Sequence, residues 1–568
     1  MIPDVLGRIA AHPSSIASKP FLDSGKRAAL YDMTPGLRLL YALSLSRERQ
    51  VLYFLPSERA ARQAAEDARQ AGAEGLAFLP QKELRFLRAV ASREDDWQRV
   101  KALWQALSGE ARALVCSVEA LQAFLPPPAW MRASSRVFRR GDALQPQDAA
   151  LFLSAAGYER VELVEGRGQF ALRGDILDVF PPQADLPARV EFFDVEIDSI
   201  RLFDPLTQRS VRPLETLTVI PALEHLLPEN ARGAAAERLR AALESGFSET
   251  RDGRGIRGRA VQAEEAPAPD LDRLRAEGCF DEMHMWAHLL YPGASSLLSY
   301  LPEAIVVLDT PDRAAQRLRE NGEGYAGMLA QALETGLAFP AQAGLLRHPE
   351  EALALLEGRG VALAQELLRG MAGLEPEAAF SFQSRRPDNY RGHLRELAED
   401  LKAWRDAGTA VYLFSGGQAR GERLSAALAA QGLRIPAEGM DGLTEGPGIR
   451  LLWDGLAEGL LLPDAGLALL SPQDLFGSAR QKARKAQTAG QRIEAFTDLS
   501  EGDYVVHEHH GVGVYQGTVR LQSEGVWRDY LFIRYRGSDK LYVPADQFDR
   551  VQKYIGSPRA RPTLSKLG

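Results

Sequence analysis

The chain has 568 residues, with 68 lysines and arginines against 76 aspartates and glutamates and a formal net charge of −8. At roughly 150 residues per domain it should hold about four domains, and the acidic balance argues against a general nucleic-acid coat. No apolar run reaches the roughly 18 residues of a membrane span, and Cys116 and Cys279 make no CxxC pair, which excludes a zinc framework and fits a reducing cytoplasm.

Asp4, Arg8 and His12 interrupt the N-terminal stretch and argue against a signal peptide. Val51–Leu55 (VLYFL) reads as a buried strand, followed by a helix that Ser57 can cap and that stops at Gly72. Leu76–Leu79 and Leu114–Ser117 read as strands on either side of a helix over Asp95–Leu107. Trp97, Val100, Leu103, Trp104 and Leu107 share the core-facing side of that helix. Strand, helix and strand in this order predict a parallel sheet. Pro126–Pro128 marks a boundary, and residues 134–218 hold a helix over Pro146–Ala156 and then a β-rich block.

Within that block, Ile176–Phe180 is a short strand broken by Pro181 and Pro182. Arg189–Phe193 alternates, so Arg189, Glu191 and Phe193 share one face while Val190 and Phe192 share the other. Asp194–Glu196 turns the chain, and Ile197–Phe203 returns it as a hairpin partner. Ala304–Leu308 is again a buried, parallel-type strand. The 134–218 block is therefore expected to be an α+β insertion into one α/β domain made of residues 1–133 and 219–330, itself interrupted by a polar stretch at 253–270.

Residues 340–475 are expected to form a small separate α/β domain of no assigned role, with helices over Tyr390–Ala407 and Gly421–Gln431 and strands at Ala410–Phe414 and Gly466–Leu470. Ser415–Gly417 reads as a strand-to-helix turn rather than a phosphate loop. Residues 476–497 read as a linker, whose basic part at 478–492 is a solvated helix or linker in preference to a nucleic-acid contact. Residues 498–555 read as an all-β, Tudor-like module with strands Tyr504–His507, Gly513–Leu521, Arg528–Tyr535 and Lys540–Pro544, a turn at Gly517 and a closing helix near Ala545–Gln552. Residues 556–568 read as a tether. His507, His509 and His510 are read as structural or exposed, not as metal ligands, because no cysteine or second cluster lies near.

The run FALRGDILDVFPPQADLPARVEFFDVEIDSIRLFD, Phe170 to Asp204, resembles the inserted domain by which UvrB and the transcription-repair coupling factor family dock onto the damage sensor UvrA. GDYVVHEHHGVGVYQG and KLYVP in the C-terminal module resemble the RNA-polymerase-interacting domain that this family shares with CarD. The resemblance implies UvrA contacts at Arg173, Arg189 and Phe193, and strand parity separately puts Arg189 and Phe193 on one face. It also implies docking on the polymerase β subunit through Leu521, with Val519 and Arg520 beside it. A small twisted sheet with open edges suits strand addition to a partner.

A helicase-like α/β domain needs a phosphate loop, GxxxxGK[ST], followed later by a strand ending in an aspartate for the metal. The nearest match is PFLDSGKR, Pro20 to Arg27. It keeps Gly25 and Lys26, but Pro20 replaces the first glycine and Arg27 puts a cation where magnesium should sit. A second placement, Met33 to Arg38 (MTPGLR), lies closer to the VLYFL strand and has no GK. The strand AIVVLDTPD offers Asp309 and then only Thr310 and Pro311. The expectation is a degenerate, non-functional nucleotide site at Gly25, Lys26 and Asp309, and no ATP hydrolysis; the resemblance likewise implies a UvrB core with decayed ATPase motifs.

These readings make the chain an adaptor between UvrA and stalled RNA polymerase, with no catalytic residue, metal or cofactor of its own. In the family, ATP, magnesium and most DNA contact belong to a two-lobed translocase after a KLGG-like sequence, and a further domain masks the UvrA surface. This chain stops at Leu567–Gly568, so it reads as an N-terminal portion or a naturally short relative. One alternative is a UvrB-like ATP-dependent helicase component, which Pro20, Arg27 and Thr310 disfavour. The other is a CarD-like transcription regulator, in which the UvrA-like block has no purpose.

Overall fold

The computed structural model describes residues 2–86, 93–249, 269–291, 295–368, 373–435, 448–453, 455–477, 491–492, 502–507, 511–523, 526–537, 539–544 and 551–553. They fall into two units, Met1–Ala479 and Arg480–Gly568, described separately below.

The first unit is built on a seven-stranded sheet in the order Ala378–Ser381, Arg27–Tyr31, Val361–Ala364, Ile305–Asp309, Val51–Leu55, Ala113–Ser117, Leu76–Leu79. Every neighbouring pair runs parallel. Val51–Leu55, Ile305–Asp309 and Val361–Ala364 are buried along their whole length, as expected of parallel strands covered on both faces. The Ser57 side chain caps the helix Glu58–Gln70 by accepting from the Ala60 amide at 3.3 Å, and Gly72 leaves it at φ +79°.

The sheet corrects the boundary placed between 330 and 340. Val361–Ala364 lies inside it, between the first strand and Ile305–Asp309, and Ala378–Ser381 forms its edge. Four-residue strands such as VALA carry too little periodicity to announce their sheet. The remaining part of the 340–475 segment has a four-stranded sheet in the order Gly448–Leu452, Ala410–Phe414, Leu467–Leu470, Leu460–Leu462, the last strand antiparallel. This sheet does not keep its core to itself. Tyr412, Phe414, Leu467 and Leu469 share one apolar cluster with Leu37, Leu40 and Tyr41 of the larger body. Its first helix spans Leu394–Asp406, shorter than expected, and the Tyr390 hydroxyl donates to Asp400 at 2.6 Å just outside it.

The inserted domain leaves and rejoins the body through an antiparallel ribbon of Arg136–Arg139 and Thr216–Val219, which brings its two ends together. Its six-stranded sheet runs Ser210–Leu214, Glu196–Phe203, Ala188–Phe193, Ile176–Val179, Gln169–Arg173, Glu159–Arg160. Leu153 on the helix Pro146–Ala155 packs with Phe170, Leu177, Val190 and Ile200 on one sheet face. The opposite face is covered in part by a smaller apolar cluster of Val164, Ala171, Phe180 and Phe203 and is open to solvent beyond it, around Arg173, Phe193 and Arg201.

The second unit is an antiparallel sheet ordered Gln491–Arg492, Val551–Lys553, Tyr504–His507, Gly511–Ser523, Val526–Arg534, Lys540–Pro544. Gly517 is not a turn. It sits at φ +105° where the register shifts between Tyr515 and Thr518, a bulge within one continuous strand. The closing helix expected up to Gln552 does not reach that far, because Val551–Lys553 is a strand paired with Tyr504–His507. Its earlier residues, 545–550, lie outside the described residues, as do 478–490 of the basic linker and the 556–568 tether.

Candidate functional site

The open face of the inserted sheet carries the first candidate site. Burial alternates along Ala188–Phe193, with Ala188, Val190 and Phe192 inward and Arg189, Glu191 and Phe193 outward. The register sets Arg189 between Asp178 and Arg201, and Glu191 between Ile176 and Ser199. Asp178 is fully buried although it lies on this outer face, because two arginines close over it. Arg189 grips it with both ends of its fork, Nε to Oδ1 at 2.7 Å and Nη2 to Oδ2 at 2.9 Å. Arg173 donates Nη2 to Oδ2 at 2.6 Å from the adjacent strand. The hydrogen bonds to Asp178 push the Arg189 pKa further up.

Arg189 also lies over the Phe203 ring, 4.7 Å from its centroid, and donates to Gln208 Oε1 at 3.2 Å. Phe193 stands about 13 Å further along the same strand and is 79% exposed. Ile176 and Leu206 are also exposed apolar groups of this domain. The structure thus brings Arg173 and Arg189 together on one carboxylate and holds Phe193 on the same face. Sequence reasoning missed Asp178. Its signal was an acid inside the apolar run ILDVF, at the parity of the arginines.

The second region is the C-terminal edge of the parallel sheet. Pro20 lies inside the helix Pro13–Asp23, Gly25 turns at φ +75°, and Arg27 opens the first strand. A phosphate loop runs from strand to helix; PFLDSGKR runs from helix to strand. Gly25 and Lys26 therefore sit where strand Arg27–Tyr31 begins, whereas Asp309 ends its own parallel strand. The three residues are not neighbours, which corrects their grouping as one degenerate site. A Cβ on Gly25 would lie 2.6 Å from the Gly358 carbonyl, so close packing accounts for the glycine.

The alternative placement has the right topology. Met33–Arg38 follows strand Arg27–Tyr31 and leads into the helix Pro35–Ser46. Arg38, itself buried, brings Nε to 3.0 Å from Asp309 Oδ2. The Tyr53 hydroxyl donates to the same oxygen at 2.6 Å, and the Thr310 hydroxyl donates to Oδ1 at 2.6 Å. Burial and the neighbouring carboxylate push the Tyr53 pKa well up, so Tyr53 stays a donor. A guanidinium and two hydroxyls thus fill the places a metal would need around Asp309.

In the second unit, Val519, Arg520 and Leu521 pair with Tyr530, Asp529 and Arg528. Of the strand Gly511–Ser523, only Gly511–Val514 pairs with Tyr504–His507. Among the described residues, the other edge of Thr518–Ser523 therefore has no strand partner. Val519 is half-buried; the side chains of Arg520 and Leu521 lie outside the described residues. His507 is buried, and His509 and His510 lie outside the described residues. No cluster of metal-binding side chains occurs among the described residues, and no helix among them is long and apolar enough to cross a membrane.

These features define a multidomain chain: a parallel α/β body with a carboxylate-centred insertion and a separate antiparallel sheet. Residues 137–225 match the UvrB interaction domain, and residues 499–555 match the CarD-like/TRCF RID domain. The chain is 30% identical over 487 residues to the transcription-repair-coupling factor of Bacillus subtilis (strain 168), covering 84% of this chain and 40% of the relative. It is 32% identical over 486 residues to that of Myxococcus xanthus, covering 80% and 38%. The Staphylococcus aureus (strain MRSA252) protein of the same name is 27% identical over 477 residues, covering 83% and 40%. The chain is an Mfd-like polypeptide, and it spans about 40% of the length of the curated relatives it matches.

Proposed function

We propose that the chain is a two-ended adaptor for transcription-coupled nucleotide excision repair in the cytoplasm. The inserted domain recruits UvrA through Arg173, Arg189 and Phe193, and the C-terminal sheet, Tudor-like in this reading, holds the β subunit of stalled RNA polymerase through Leu521, Val519 and Arg520. One observation carries the first half: an exposed phenylalanine and two arginines anchored on a buried acid occupy one open sheet face. Aromatic and arginine side chains dominate the binding energy of protein interfaces. The edge of Thr518–Ser523 that has no strand partner among the described residues supports the second half, since an open edge offers backbone donors and acceptors to a partner strand.

The body serves as scaffold and does not hydrolyse ATP, because Arg38 holds the carboxylate that would bind magnesium. Translocation on DNA, with its ATP and magnesium, belongs in this reading to segments other than these 568 residues. Purified UvrA and polymerase β subunit, titrated separately against the chain, test the adaptor. Arg189→Ala or Phe193→Ala should lose only UvrA, and Leu521→Ala only the polymerase. Binding of neither partner by the wild-type chain refutes the adaptor; magnesium-ATP turnover by the chain refutes the scaffold role.

A further inference from the structure

Asp178 cannot itself touch a partner, since it is fully buried beneath Arg173 and Arg189. A carboxylate taken out of water costs free energy unless paired and hydrogen-bonded. Here both its oxygens are engaged, three guanidinium bonds arriving from two neighbouring strands. Asp178 therefore fixes the plane and direction of both forks while keeping itself out of reach.

The two forks are fixed to different degrees. Arg189 is clamped from several sides, by Asp178, by the Phe203 ring and by Gln208, and its side chain is only 18% exposed. Arg173 gives Asp178 one nitrogen and its side chain stays 48% exposed, which leaves it more open to a partner than Arg189. An ordinary surface arginine loses rotamer freedom when a partner captures it. Anchoring on Asp178 removes that freedom beforehand. Glu191 and Arg201, also on this face, pair with each other at 3.4 Å and leave the Asp178 pair undisturbed.

We infer that Asp178 is the positioning residue of the UvrA-docking face: it pre-orients Arg173 and Arg189 toward acidic or carbonyl groups of the partner. The inference rests on the docking reading above, and the following experiment separates the two. UvrA affinity is measured for the full chain and for Asp178→Asn, Arg189→Lys, Arg189→Ala and the Arg173→Ala/Arg189→Ala pair without and with Asp178→Asn, with circular dichroism as the folding control.

The expected result is about a tenfold loss for Asp178→Asn. Arg189→Lys should lose nearly as much as Arg189→Ala, because a lysine keeps the charge but not the two-ended grip. Asp178→Asn should cost nothing further once both arginines are gone, an outcome that a general structural role does not produce. Wild-type affinity in Asp178→Asn or in Arg189→Lys, with Arg189→Ala impaired, overturns the positioning role and leaves the docking reading intact. Wild-type affinity in the Arg173→Ala/Arg189→Ala pair overturns the docking reading itself. Where Asp178→Asn fails to fold, the Arg189→Lys comparison decides alone.

Discussion

The body and the inserted domain each bury an aspartate against arginine and put the pair to opposite uses. Asp309 ends a central parallel strand with helices on both sides of its sheet, and Arg38 reaches it from within the fold. Tyr53 and Thr310 take the remaining positions, so the Asp309 carboxylate is satisfied within the fold. Asp178 lies on a sheet whose outer face is only partly covered, so its arginines reach the surface, Arg173 more than Arg189. The chemistry of the pair is the same. Whether it becomes an internal strut or a displayed contact depends on what covers the sheet.

The sharpest way to break this comparison is Arg38→Ala. It leaves a buried carboxylate without its cation and should destabilise the Met1–Ala479 unit by about 3–5 kcal/mol in urea unfolding. A loss below about 1 kcal/mol would show that Asp309 is not held by charge.

A second closed acid sharpens it through pH. Glu224 receives Arg99 Nε and Nη2, each at 2.7 Å; burial pushes its pKa up, and the ion pair more than reverses that. Beside it, burial pushes the His225 pKa down from 6.5 to about 4. Below pH 6.5 the unfolded chain therefore takes up a proton that the folded chain refuses until about pH 4. His225 should contribute up to about 3 kcal/mol to the loss of stability as pH drops through that window, alongside His284, whose pKa burial also lowers. Urea midpoints across the range measure it, and His225→Phe should flatten the slope.

On the displayed side the expected effects move from stability to binding. Phe193→Ala should leave the unfolding free energy within about 0.5 kcal/mol of wild type and lower UvrA affinity about tenfold. A large stability loss without a binding defect would turn this face into a strut as well. The smallest effect belongs to Arg173→Ala. Arg189 still satisfies both oxygens of Asp178, so the stability cost should stay below about 1 kcal/mol, with UvrA affinity down only a few-fold by calorimetry.

Much of this was legible residue by residue. Val51–Leu55 and Leu76–Leu79 stand where the apolar runs put them, and the alternation through Arg189–Phe193 named the outward side chains. Both signals are local: side-chain periodicity and burial are written in consecutive residues. The GK pair misled because a string match ignores element order, and Lys26 turned out to precede a strand, not a helix. Gly517 misled because a glycine marks a positive φ without saying whether the chain turns or only bulges.

The sequence alone determined which short segments are strands or helices and which residues of the inserted hairpin face outward. Only the tertiary structure decided that Val361–Ala364 joins the sheet of the body, that Arg38 and not Lys26 meets Asp309, and that Asp178 gathers Arg173 and Arg189. The physical reason is range. Periodicity acts over a few residues, whereas an ion pair or a strand register joins positions tens to hundreds of residues apart, and packing chooses among the many partners that local pattern allows.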